Sequence, residues 1–264
     1  MKLYFQIAKN TWDEMMTYRF NFMMWRVRNV LQLLTIYYLW LAVTPQNGQI
    51  FGYSRSLILT YVLGVSLVGS IVFSTRTQEM GDNINNGELS QFLVRPLRYL
   101  GYWFARDIGD KLFNISFAAA EILIFYLILR PSLFLQDQLS LLFFTALAVV
   151  IAVIMNFFIG SLLGMIAFWS PEVWAPRFIF FMLVSFFAGG MFPLNILPVY
   201  LQRIFAVLPF AYLQYFPVSI YLGKVSSTGL LFGFAVALFW SIVLYITVTL
   251  VWKHGLKEYS SEGN

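Results

Sequence analysis

Few residues in this chain can do chemistry. It has no cysteine and a single histidine, His254. That excludes a thiolate nucleophile, a disulfide framework and a multi-histidine metal site. The only Gly-Lys pair, Gly223–Lys224, is followed by Val225, and Val218 stands where G-x-x-x-x-G-K-[ST] needs its first glycine. No phosphate-binding loop of that type is present. No residue is assigned as catalytic and none as a metal ligand. One ionisable residue is unusual. Glu121 sits in the middle of the apolar stretch Leu112–Leu129, where a charge is costly and marks a functional site or a buried partner. Two kinds of role are open for it: facing a polar path, a cationic substrate or a partner subunit, or facing the bundle and bonding to Ser116, Asn156 or another polar neighbour.

The elements that carry these residues are set by composition. Of 264 residues, 60% are hydrophobic and 11% charged, against about 25% charged in a soluble domain. Too few charges exist to cover a water-facing surface, whereas helices that face lipid need none. The formal net charge of +5 does not point to nucleic acid, because the basic residues are scattered between apolar spans rather than gathered on one face.

Charge-poor stretches give the map: Asn29–Ser54, Ser56–Thr75, Leu112–Leu129, Gln138–Pro171, Phe178–Gln202 and Val225–Trp252. Each approaches or exceeds the ~20 residues that a spanning helix requires. A seventh stretch, Ile204–Gly223, contains Pro209 and Pro217 and follows Pro193 and Pro198. Proline interrupts a helix, so this stretch is expected to be a re-entrant segment at the outer side, over residues 193–224. With six spans and both termini inside, only Arg55, Arg130, Arg203 and Lys224 of the 17 basic residues fall outside, as the positive-inside rule asks. The expected fold is therefore an all-α polytopic membrane protein with six transmembrane helices. It forms one domain over residues 1–257, in a bacterial-type plasma membrane, with a short cytoplasmic tail at 258–264.

Residues 1–24 are expected to form an interfacial helix, with Phe5, Ala8, Trp12 and Met16 near one face. Between the second and third spans, residues 76–106 form a cytoplasmic loop that is polar up to Glu88 and amphipathic beyond it. Asn86–Gly87 is a turn signal, and Asn85 with Glu88 is a possible cap. Leu89, Phe92 and Leu93 share an i, i+3, i+4 face, and Pro96 ends the short helix. Such an element either docks into a groove on a soluble protein or packs back on its own bundle. Arg106 with Asp110, and Asp107 with Lys111, have i, i+4 spacing. Gly160 and Gly164 make a small-xxx-small pair for close helix packing, within the chain or between subunits.

Three stretches resemble one known family: Gly87–Leu97 (GELSQFLVRPL), Phe192–Pro198 (FPLNILP) and Leu208–Tyr212 (LPFAY) running on to Pro217. In this order, on a six-span background, the chain resembles the permease subunits of ABC-2 type transporters. The likeness is greatest to bacterial permeases of this size that work with a daunorubicin-resistance-like ATPase. The resemblance implies an interfacial N-terminal helix, a coupling helix and outer re-entrant helices. It implies that Glu88, Leu89, Phe92, Leu93, Arg95 and Pro96 lie at or beside an ATPase contact. It implies that Pro193, Pro198, Pro209, Tyr212 and Pro217 shape an outer gate. ATP and Mg would be bound by two copies of that ATPase, not by this chain. A second permease, similar or identical, would complete a path through membrane lipid, and export is the expected direction. An ion-coupled secondary transporter using buried Glu121 is the alternative, although no inverted repeat supports it.

Overall fold

A computed structural model describes residues 2–259 of the chain. Met1 and the last five positions of the expected tail lie outside the described residues. Eleven α-helices are present among the described residues. The first, α1 (Lys2–Thr17), breaks at Tyr18, and α2 (Arg19–Val43) follows. The expected interfacial segment thus ends seven residues earlier than position 24. A two-residue hairpin, β1 (Gln49–Ile50) and β2 (Tyr53–Ser54), links α2 to α3 (Arg55–Val72). Phe51 and Gly52 both have positive φ at its turn, the backbone that tight hairpins require. Ser54 caps α3 by accepting from the Leu57 amide, so the apolar run 29–54 is a helix and a hairpin, not one long span.

Two short helices, α4 (Gln78–Asn85) and α5 (Leu89–Leu93), fill the connection to α6 (Tyr99–Leu129). Helix α6 therefore starts well before Leu112, and the loop ends at Arg98, not at residue 106. Helix α7 (Leu139–Met165) continues into a 3₁₀ turn at Ile166–Phe168. Helix α8 (Trp174–Phe187) is only 14 residues long. The stretch expected to continue to Gln202 stops there instead, at Gly189–Gly190. After it come a 3₁₀ turn at Leu194–Ile196, α9 (Val199–Val207), a further turn at Phe210–Leu213, and α10 (Tyr215–Tyr221). Helix α11 (Ser227–Glu258) closes the chain, capped by Ser226 accepting from the Gly229 amide.

Four helical segments are long and apolar enough to cross a membrane: Arg55–Val72, Tyr99–Leu129, Leu139–Phe168 and Ser227–Glu258. Helix α2 has the length, 25 residues, but carries Arg26 and Arg28. Residues 204–223 do not form one continuous helix. Leu208–Pro209 divides them into helices of 9 and 7 residues, about 14 and 11 Å long at 1.5 Å per residue.

Packing divides into two apolar clusters. The larger joins α2, α3, α7 and α10 through Tyr37, Ile58, Tyr61, Met155 and Ile220. The smaller lies toward α4 and α5 and contains Met80, Ile84, Leu89, Trp103 and Phe168, with Trp252 stacked on Tyr99 at 4.8 Å. Helix α1 lies along the first half of α6: Ala8 abuts Gly109, and Trp12 meets Phe113 edge-on at 5.0 Å. Its buried positions are Thr11 and Met15, whereas Phe5 and Met16 are exposed. The apolar face read from the sequence is rotated relative to the one that packs.

Candidate functional site

The loop between α3 and α6 is a compact tip. Gly160 and Gly164 of α7 allow it to dock, because Cβ atoms there would meet Thr77 and Met80. This small-residue pair thus packs inside the chain. Asn156 of the same helix donates to the Val72 carbonyl at 2.7 Å, and buried Lys111 donates to Val72 and Ser74. A cation at a helix C-terminus also matches its dipole. Lys111 lies 3.1 Å from Asp107, whose buried carboxylate has no hydrogen bond among the described residues.

Within the tip, Gly87 adopts φ +74° and turns the chain from α4 into α5. Leu89 is 0% exposed, and Phe92 packs on Tyr99 and Tyr102. Neither is a free surface knob. The outward face is Leu93, Val94 (85% exposed), Arg95 and Pro96. Asn85 does not cap α5. Its amide donates to the Pro171 carbonyl, while Glu88 accepts from Asn83 at 3.0 Å.

A charged network ties this tip to α1 and α6. Arg106 binds Glu14 at 2.5 Å and Glu79 at 3.1 Å, and Arg76 binds Glu79 at 2.5 Å and Asp110 at 3.2 Å. The sequence spacing paired Arg106 with Asp110, but both reach other elements instead. Burial pulls the Arg76 guanidinium down, yet Glu79, Asp110 and Glu14 outweigh it and hold it above its ordinary value.

Glu121 does not bond to Ser116 or Asn156. Its carboxylate takes a two-pronged ion pair from Arg26 of α2, with Arg26 Nε at 2.6 Å from Oε1 and the second prong from a terminal guanidinium nitrogen. Arg26 also reaches Asn114 at 3.4 Å. The Arg26 side chain is 5% exposed and that of Glu121 is 24% exposed. Both charges are therefore matched within the bundle, as burial away from water demands.

The broken segment after α8 has its own backbone accounting. The Ala188 carbonyl accepts from the Tyr215 amide at 2.9 Å, Gly189 from the Tyr61 hydroxyl at 2.6 Å, and Met191 from the Trp40 indole at 3.0 Å. Irregular backbone inside a membrane needs such partners. The prolines sit where helices start: Pro193, Pro198 and Pro209 each precede a short helix, and Pro217 lies in the first turn of α10. There the missing amide is no loss. Tyr212 is buried and donates to the Ala206 carbonyl at 2.5 Å. Helix α10 folds back as far as the midpoint of α3. Val218 covers Gly64, and Gln214 donates to the Val65 carbonyl at 2.7 Å.

Between α2, α3 and α8 lies a cleft of about 290 Å³. Arg28, Asn29 and Gln32 enter it from α2, Ser66 and Ser70 from α3, and Gln214 from the fold-back. These residues were not singled out from sequence, yet a signal was there: polar positions at i, i+1, i+4 and at i, i+4 on otherwise apolar helices. Neither Glu121 nor Asn156 lines this cleft. The family profile described as "ABC-2 family transporter protein" matches residues 30–263. No curated protein matches the chain.

Proposed function

The chain belongs to the ABC-2 family of transporter proteins, and from that premise we propose that it is one permease half of an ATP-driven exporter. Its six crossings are α2, α3, α6, α7, α8 with its broken extension, and α11. The tip α4–α5 faces the cytoplasm with both termini, and α1 lies at the inner surface of the plasma membrane. Two ATPase subunits dock beneath the tip and hold the ATP and Mg. A second permease, identical or similar, closes the path. The cleft between α2, α3 and α8 is part of that path, and the fold-back from Pro193 to Pro217 closes its outer end.

The observation that carries this reading is the exposed Leu93–Pro96 surface on a helix whose other side is sealed by Leu89 and Phe92. An apolar tip that is rigidly backed transmits a push to α7 through Gly160 and Gly164, and to α6 through Arg76 and Arg106. Glu121 is matched by Arg26, which leaves an ion-coupled mechanism without its free carboxylate. The test is affinity capture of the tagged full chain from its native membranes, with every subunit identified by mass. An ABC ATPase is expected, lost from Val94→Glu while that variant remains monodisperse. Capture without any ATPase, or undiminished capture by Val94→Glu, would overturn the docking assignment.

A further inference from the structure

Polar side chains within the spans mostly find partners inside the bundle: Arg26 with Glu121, Asn156 with Val72, Gln214 with Val65, Ser161 with Phe157. Around the cleft the pattern changes. Arg28, Asn29, Gln32, Ser66 and Ser70 have no side-chain hydrogen bond or ion pair among the described residues. Side chains of this kind inside a membrane need water, a ligand or a second chain. No acidic residue lines the cleft, so Arg28 is its sole charge. The remaining walls are apolar, among them Leu33, Ile36, Val65 and Phe181, and Arg28, Gln32, Phe181 and Met182 are exposed at the rim. In the single chain the cleft thus opens beside the exposed apolar faces of α2 and α8.

We infer that the cleft takes up an amphiphile with an anionic phosphate head, entering sideways from the bilayer, and that this is the substrate class of the path. The phosphate pairs with Arg28. Head-group hydroxyls bond to Asn29, Gln32, Ser66 and Ser70. The acyl chains stay on the apolar faces of α2 and α8. A volume of about 290 Å³ holds a head group and not a whole lipid, which fits a site whose tails remain outside. The charge pattern selects against cationic molecules, which would meet Arg28 with no carboxylate beside it. This inference rests on the reading of the cleft as part of the path.

The full chain, purified in a neutral detergent, is titrated with fluorescent phosphatidylglycerol, with phosphatidylcholine and with inorganic phosphate. Saturable phosphatidylglycerol binding is expected, with both comparison probes weaker by about tenfold or more. Arg28→Gln removes a charge-assisted contact and is expected to weaken phosphatidylglycerol by about tenfold, with a smaller effect on phosphatidylcholine, whose phosphodiester carries its own ammonium counter-charge. Ser66→Leu with Ser70→Leu fills the cleft and is expected to abolish binding, whereas Arg98→Gln, an exposed cation elsewhere, changes nothing. Unchanged binding by Arg28→Gln, equal loss from Arg98→Gln, or inorganic phosphate binding as tightly as the lipid would overturn the assignment. Lipid binding that ignores Arg28 in a chain that still captures its ATPase sinks this inference alone. Absent ATPase capture with Arg28-dependent lipid binding sinks the docking assignment and leaves the cleft site standing.

Discussion

Arg26 and Glu121 stand 95 residues apart in sequence and share one ion pair. Breaking such a buried pair from one side typically costs about 3–5 kcal/mol, while replacing both members with apolar residues is often nearly neutral. Glu121→Leu alone is accordingly expected to lower the thermal unfolding midpoint of the purified chain sharply. Arg26→Met combined with Glu121→Leu should recover most of that loss. If the double variant were as unstable as the single, the pair would not be the link between α2 and α6. Gly189 is a second sensitive position. It has φ +80°, and a Cβ there would lie 2.8 Å from the Tyr61 hydroxyl, the group that satisfies its carbonyl. Gly189→Ala is expected to cut the monodisperse yield, and Ser185→Ala, half-buried in the last turn of α8 with its hydroxyl bonded only to the Met182 carbonyl, to leave it unchanged. Only one member of each constellation was legible in the sequence. Glu121 announces itself as a charge in an apolar run, but Arg26 looks like any basic residue at the inner boundary, and only the packing of α2 on α6 makes it a partner.

Among the elements, the helices that read best are those whose signal is local. Long apolar runs gave α3, α7 and α11 because hydropathy over about 20 residues needs no tertiary knowledge. The tip reads less well. The spacing Leu89, Phe92, Leu93 defines an apolar face, but periodicity cannot say whether that face meets the chain's own bundle or another protein. Here the bundle takes Leu89 and Phe92 and leaves Leu93 to Pro96 outside. Docking of the tip depends on α7 more than on α5 itself. Gly160→Leu would push directly on Thr77, so faster amide exchange is expected across residues 78–93, with α11 unaffected. Protection unchanged in that segment would mean that the tip is held by its charged network alone. The end of α8 was also punctuated in plain view by Gly189, Gly190 and Pro193, yet apolar residues on both sides made the run look continuous.

For the whole molecule, the decisive arrangement is that the tip and the β1–β2 hairpin lie at opposite ends of α3. Because the chain has no native cysteine, single introduced thiols report sidedness cleanly. Gln91→Cys and Asn47→Cys both occupy exposed positions. Gln91→Cys is expected to react with an impermeant maleimide only from the cytoplasmic face of oriented membranes, and Asn47→Cys only from the outer face. Labelling of both from one face would overturn the six-crossing arrangement. The expected orientation rests on the distribution of Lys and Arg in the sequence. Sequence alone could not supply the cleft, because that feature comes from α2, α3 and α8 meeting, with Gln214 arriving from a segment 149 residues away from its α3 contact.

The shortness of α8 has a further consequence. Fourteen helical residues span about 21 Å at 1.5 Å per residue, whereas the hydrocarbon layer is about 30 Å thick. If the broken extension that completes this crossing is shielded from lipid, lipids beside α8 would compress or tilt to meet the helix, and such mismatch is felt as a fraction of a kcal/mol per ångström. The bilayer would then be pinched on the flank where the cleft opens, and head groups there would ride deeper than elsewhere. Short-chain lipids should gather at this flank, and transport should slow in thicker bilayers.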